Sequence, residues 1–159
     1  MYATIEQANA YVTSYYSSTD NIRIKWEALS DADKQVALNK AEQIIDSIPF
    51  KGRPVEPHQH KAFPRHPDKE LSLEKAKDAT IELALQRNGD SEAIERLKLQ
   101  KQGVKSYKLG DLSETFKDGG NLDYDQAFAV QVIFPFLKDW LSGGYEICPT
   151  HTRKFHGRW

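Results

Sequence analysis

The side chains best suited to chemistry gather in one short segment and in the final residues of the chain. His58, His60 and His66 crowd a single stretch, and three imidazoles can hold zinc in principle. Their spacing matches no established zinc pattern, and no rigid element is predicted around them, so the residues read as solvated loop histidines. Cys148, His151 and His156 offer no better pattern. A single cysteine excludes an intrachain disulfide framework and a cysteine-rich zinc finger, and Cys148 has no base held in register beside it. No nucleophile elbow, phosphate-binding loop or dinucleotide fingerprint is present, and Gly119-Gly120 reads as a turn. Acidic pairs are scattered over predicted helix surfaces. Without convergent groups, the chain is expected to be no enzyme, with no catalytic residue, cofactor or metal.

Aromatic residues interleaved with cations are a second chemistry, because rings stack on bases while cations follow phosphates. Tyr15, Tyr16 and Trp26 with Arg23 and Lys25 fit loosely, but aromatics at helical spacing read first as core. The end of the chain carries Arg153, Lys154, Phe155, Arg158 and Trp159 with no helical stripe. It reads either as a frayed terminus or as a segment that orders on a partner, with Phe155 and Trp159 as anchors. Across all 159 residues, 22 Lys and Arg nearly cancel 23 Asp and Glu, leaving a net charge of −1. That balance argues against a global electrostatic grip on nucleic acid or anionic lipid. No signal peptide is visible, and the apolar stretch Tyr124–Leu141 carries Asp125, Gln126, Gln131, Lys138 and Asp139, too many polar groups to span a membrane. An intracellular globular protein is the expectation.

The elements that position these residues are mostly helical. The first 48 residues lack Gly and Pro. Thr4 and Gln7 form a candidate capping box, and Ile5, Ala8, Val12 and Tyr15 or Tyr16 recur at helical spacing. A short amphipathic piece over Ile22–Leu29 is anchored by Trp26. Ser30 is a candidate cap for a helix over Asp31–Ile48, which Pro49 ends. Residues 49–67 hold five of the seven prolines and three of the five histidines, and so predict a stiff irregular loop. Ser72 is read as the cap of a helix from Leu73 to Arg87. A short charged helix is expected over Ser91–Gln102, and alternation around Gly110-Asp111 predicts a β-hairpin near 104–117. The last helix, Tyr124–Leu141, is apolar around most of its circumference, with a kink or break expected at Pro135. Such a helix must be central or be covered by neighbouring subunits. The expected fold is therefore mainly α: a small bundle of four to five helices with one hairpin over 1–144, and an extended tail over 145–159.

The order of these pieces resembles the head–tail connector (adaptor, head-completion) proteins of tailed bacteriophages, many of which carry the label DnaT-like single-stranded DNA-binding protein. The opening Tyr2–Tyr11 is similar to the family's first helix. Trp26 followed by Ser30–Leu38, and then Phe50-Lys51-Gly52-Arg53, resemble its next segments. Gln59–Arg65, ending in Phe63-Pro64-Arg65, is the most specific piece, with Lys61 standing where the family usually has Leu. Val104–Leu112 resembles the family's hairpin.

The resemblance implies a virion protein of the phage neck, at the head–tail interface and in the host cytoplasm before assembly. Copies would form a homo-oligomeric ring, commonly of twelve, under the portal. That ring would pass DNA without sequence-specific binding, dock a downstream neck or tail protein, and need no membrane. Partner contact would fall to Phe63, Arg65, Arg153, Lys154, Phe155, Arg158 and Trp159, with Arg65 available for a bidentate carboxylate pair. The alternative is a single-stranded DNA-binding protein of replication.

Overall fold

A computed structural model describes residues 1–89, 106–109, 112–115 and 124–142. Among them are five helices: α1 (Ile5–Tyr15), α2 (Asn21–Glu27), α3 (Asp31–Ser47), α4 (Lys69–Gly89) and α5 (Tyr124–Leu137). The charged helix expected over 91–102 and the tail over 145–159 lie outside the described residues. The architecture is mainly helical, as expected. The hairpin is not supported as part of the helical body, which holds no strand among residues 1–89 and 124–142. Outside those residues, β1 (Ser106–Leu109) and β2 (Leu112–Thr115) pair antiparallel with Ser106 opposite Thr115.

Local capping chemistry sets three helix starts. Thr4 Oγ1 accepts from the Gln7 amide at 3.3 Å while Gln7 Oε1 accepts from the Thr4 amide at 3.0 Å, the reciprocal capping box. Asp20 caps α2 through the Ile22 amide, and Ser30 caps α3 through that of Asp33. The start of α4 differs from the sequence reading. Asp68, directly after Pro67, accepts from the Leu71 amide at 2.9 Å and begins the helix at Lys69. Ser72 lies inside the helix, fully buried, with its hydroxyl bonded to the Lys69 carbonyl.

The central element is α4, not the last helix. Ala76, Ala79, Thr80, Ile81, Leu83, Ala84 and Leu85 are buried around its circumference, and it packs against α2, α3 and α5. Thr80 tolerates this because its hydroxyl donates to the Ala76 carbonyl at 2.7 Å. At its end, Gly89 allows a close approach to α2, since a Cβ there would meet Ile22 Cγ1 at 2.7 Å. By contrast α5 buries one stripe, Ala129, Val130, Ile133 and Leu137, and leaves Phe134 36% exposed. Pro135 lies within its last turn, and the helix ends at Leu137. A turn then buries Trp140 and Leu141, and Leu141 bridges to Phe50. Among the described residues no helix is long and apolar enough to cross a membrane.

Candidate functional site

The proline-rich segment between α3 and α4 is held in place by contacts from Tyr2, ahead of α1, and from Trp140, in the turn after α5. It doubles back, with Pro54 bridging Arg65 and amide bonds from Val55 to the Pro64 carbonyl and from His66 to the Arg53 carbonyl. Phe63–Pro64 and His66–Pro67 are cis peptides. Gly52 has φ +83°, a conformation that disfavours a side chain, and a Cβ there would also meet the His66 carbonyl oxygen at 3.1 Å.

Arg65 organises the interior of this loop. Its Nε donates to the Lys51 carbonyl at 3.1 Å, its Nη1 to Ala62 at 3.0 Å, and its Nη2 to Phe50 at 3.1 Å and Gly52 at 2.6 Å. The expected carboxylate pair is thus replaced by four backbone carbonyls, which the turned-in loop directs at the guanidinium. Burial pulls the guanidinium below its ordinary pKa, although arginine remains a cation at any working pH. The Arg65 amide in turn donates to Ser72 Oγ at 2.9 Å, which explains the buried serine. Phe63 is 1% exposed and meets Phe50, Trp140 and Tyr2 edge-on. Both residues singled out from the Phe-Pro-Arg motif therefore do internal work.

Two further anchors come from α1's leading residues and α3. The Tyr2 hydroxyl donates to Asp46 at 2.5 Å and accepts from the Phe63 amide at 3.0 Å, while Asp46 also accepts from the Ala62 amide. Lys61 is bound to Glu42. Burial works against the Glu42 charge, but the Lys61 ammonium and the Tyr2 amide outweigh it and hold the carboxyl below its usual range. Gln59 staples the loop from within. Its Oε1 accepts from the Glu56 amide, and its Nε2 donates to the Lys61 and Pro64 carbonyls at 2.8 and 3.0 Å.

Between Lys51 and Lys69 there are five cations (Lys51, Arg53, Lys61, Arg65, Lys69) and two acids (Glu56, Asp68). With Arg65 buried and Lys61 paired with Glu42, three exposed cations stand against two exposed acids. Lys51, Arg53 and Lys69 are exposed, as are His58 and His60. A pocket of about 380 Å³ opens in the same loop, lined by Val55, Glu56, Gln59, His60, Lys61, Phe63, Pro64 and Lys69. Among the described residues no group of His, Cys, Asp and Glu could hold a metal ion. Cys148, His151 and His156 lie outside them, as do Arg153, Lys154, Phe155, Arg158 and Trp159.

The aromatic and cationic group around α1 and α2 is not a comparable surface. Trp26 is buried and donates to Asn9 Oδ1 at 3.0 Å. Arg23 is paired with Glu27, and Lys25 bonds the Gly89 carbonyl. Tyr15 is 72% exposed and packs on Tyr11 at 4.5 Å, and the Tyr11 and Tyr16 hydroxyls both donate to Glu82, which places a carboxylate at the hydroxyl ends of those two rings.

Burial, reinforced by Glu82, pushes the Tyr11 and Tyr16 phenols well above their ordinary pKa, and burial with the Asp46 bond does the same for Tyr2. A folded-state pKa above the unfolded value near 10 favours the protonated phenol in the folded protein. The stabilisation is complete below about pH 10 and is lost as pH rises above it. In a phenolate absorbance titration, three of the seven tyrosines are expected to ionise only as the protein unfolds. Smooth ionisation of all seven near pH 10 with the fold intact would contradict these contacts.

Lys51, Arg53 and Gln59 stood inside the motif segments without a contact role, and Lys69 stood outside them. The signal for the three cations was a local excess of positive charge, averaged away in the whole-chain sum. Comparison with known families bears on what the loop meets. A family model described as "Putative DnaT-like ssDNA binding protein" matches residues 1–153, nearly the whole chain. No curated protein and no solved structure matches. The match overturns the phage connector expectation: the virion, neck and portal roles find no support, and the alternative, binding of single-stranded DNA, is the one favoured. The chain belongs to this DnaT-like family.

Proposed function

We propose that this member of the DnaT-like family binds single-stranded DNA through the exposed cations of the loop between α3 and α4, acting by recognition rather than catalysis. The observation that carries the reading is the set of three exposed cations, Lys51, Arg53 and Lys69, on a loop whose shape is fixed internally. A rigid cationic surface meets the strand without first ordering itself, so less of the interaction is lost to conformational entropy. The near-neutral whole is compatible with this, because phosphate attraction is short-ranged at physiological salt and follows the local charge.

Fluorescence anisotropy with a labelled oligothymidylate across a salt series tests the reading. Log affinity should fall with log salt concentration at about −0.7 per phosphate neutralised, or roughly −2 for three exposed cations. Joint replacement K51E, R53E and K69E should remove most of that slope and weaken binding at least about tenfold. Lys40 stands two residues before Glu42, on the opposite side of α3, so Lys40→Glu should leave both nearly unchanged. Salt-independent binding, or equal losses at Lys40 and at the loop, would overturn the proposal.

A further inference from the structure

The pocket in the loop between α3 and α4 has a composition that the phosphate-tracking cations do not explain. Its lining includes Val55 and Pro64, both half-buried, and the buried Phe63. The one amide among its lining residues, Gln59, has its oxygen and both of its donors engaged by the loop backbone. The pocket therefore offers apolar surface in a shape held open by internal bonds. Its volume of about 380 Å³ lies within the range of small-molecule sites. Glu56 is the single acid among the lining residues, and Lys69 brings an exposed cation to them.

We infer that this pocket seats one unstacked base of the strand, with the neighbouring phosphate on Lys69, an assignment that rests on the single-strand reading above. An apolar concavity beside a cation is complementary to a nucleotide, whose flat heterocycle is apolar on its faces and whose phosphate is anionic. Apolar contact with a base face is tolerant of sequence, because every base has such a face.

The test compares two labelled oligonucleotides of about twelve residues, one of thymidylate and one of abasic sugar-phosphate units, on the full chain. Both should show the same salt slope, since they carry the same phosphates. The thymidylate should bind about fivefold or more tightly, the lower end for one seated base. Val55→Trp and the smaller Val55→Met, each checked for native circular dichroism, should lower thymidylate affinity toward the abasic value and leave abasic binding unchanged. Equal affinity of the native chain for the two strands overturns the pocket assignment while leaving the single-strand reading intact, and so does an equal loss for both strands in the Val55 variants. If the native chain binds neither strand, the single-strand reading fails and the pocket assignment fails with it.

Discussion

Arg65→Met is expected to lower the free energy of unfolding by about 3 kcal/mol. Methionine restores much of the buried volume but none of the four donors to Phe50, Lys51, Gly52 and Ala62. Hydrogen bonds from a charged donor are worth about 1.5–3 kcal/mol each, and losing all four would cost more than the stated figure. The reduction comes from Lys51 and Gly52, which are exposed and can turn their carbonyls to water. Arg65→Lys should recover only part of the loss, because one compact ammonium cannot reach four carbonyls as a planar fork does. Urea unfolding should show a lower midpoint for Arg65→Met with its slope preserved. A loss below about 1 kcal/mol would mean the loop keeps its shape by other contacts. Strand binding should weaken as well, although Arg65 is 9% exposed and is not offered as a contact.

Phe63→Ala should cost more, about 3–5 kcal/mol, the range for emptying a buried aromatic site. Its ring lies 4.8 Å from Phe50, 6.1 Å from Trp140 and 6.3 Å from Tyr2, all steeply inclined. Edge-to-face pairs of this kind add about 0.5–1.5 kcal/mol each beyond area burial. The ring joins the loop to the first residues and to the turn after α5, so three surfaces lose a partner together. A melting temperature lower by about 10 °C is expected, at roughly 2–4 °C per kcal/mol for a chain of this size. Phe63→Leu should recover over half of that shift by refilling the space. Equal melting of Phe63→Ala and the native protein would place the ring outside the cooperative core.

Much of the helical frame was legible because caps and periodicity are local. Thr4 and Ser30 are read within four residues of the amides they bond, and α1 and α3 follow from them, whereas the Asp20 cap of α2 went unread. The start of α4 was misread because Ser72 and Asp68 are both good caps, and the serine was claimed by an amide outside the helix, that of Arg65. Which helix is central was not legible either. Burial of α4 on all sides depends on where α2, α3 and α5 lie, and Leu73, apolar by type, is 41% exposed. At the site, the Phe-Pro-Arg motif stood out, but its role did not. Arg65 is answered by backbone carbonyls, which every residue possesses and no sequence pattern marks. The exposed cations Lys51, Arg53 and Lys69 escaped notice because a whole-chain charge near zero conceals local groupings.

The bonds that shape the loop also fix when it can form. Tyr2 reaches Phe63 across 61 positions, and the Lys51 amide reaches forward to the Trp140 carbonyl at 2.7 Å. Contacts between positions so far apart come late in folding, because the intervening chain must be ordered before they repay its lost entropy. The loop between α3 and α4 is therefore completed only when the beginning of the chain and the turn after α5 are both in place. A partly folded chain carries the same cations without their arrangement. Recognition by this surface is in that sense a property of the finished molecule, and a fragment ending before Trp140 would retain the loop's sequence but not its form.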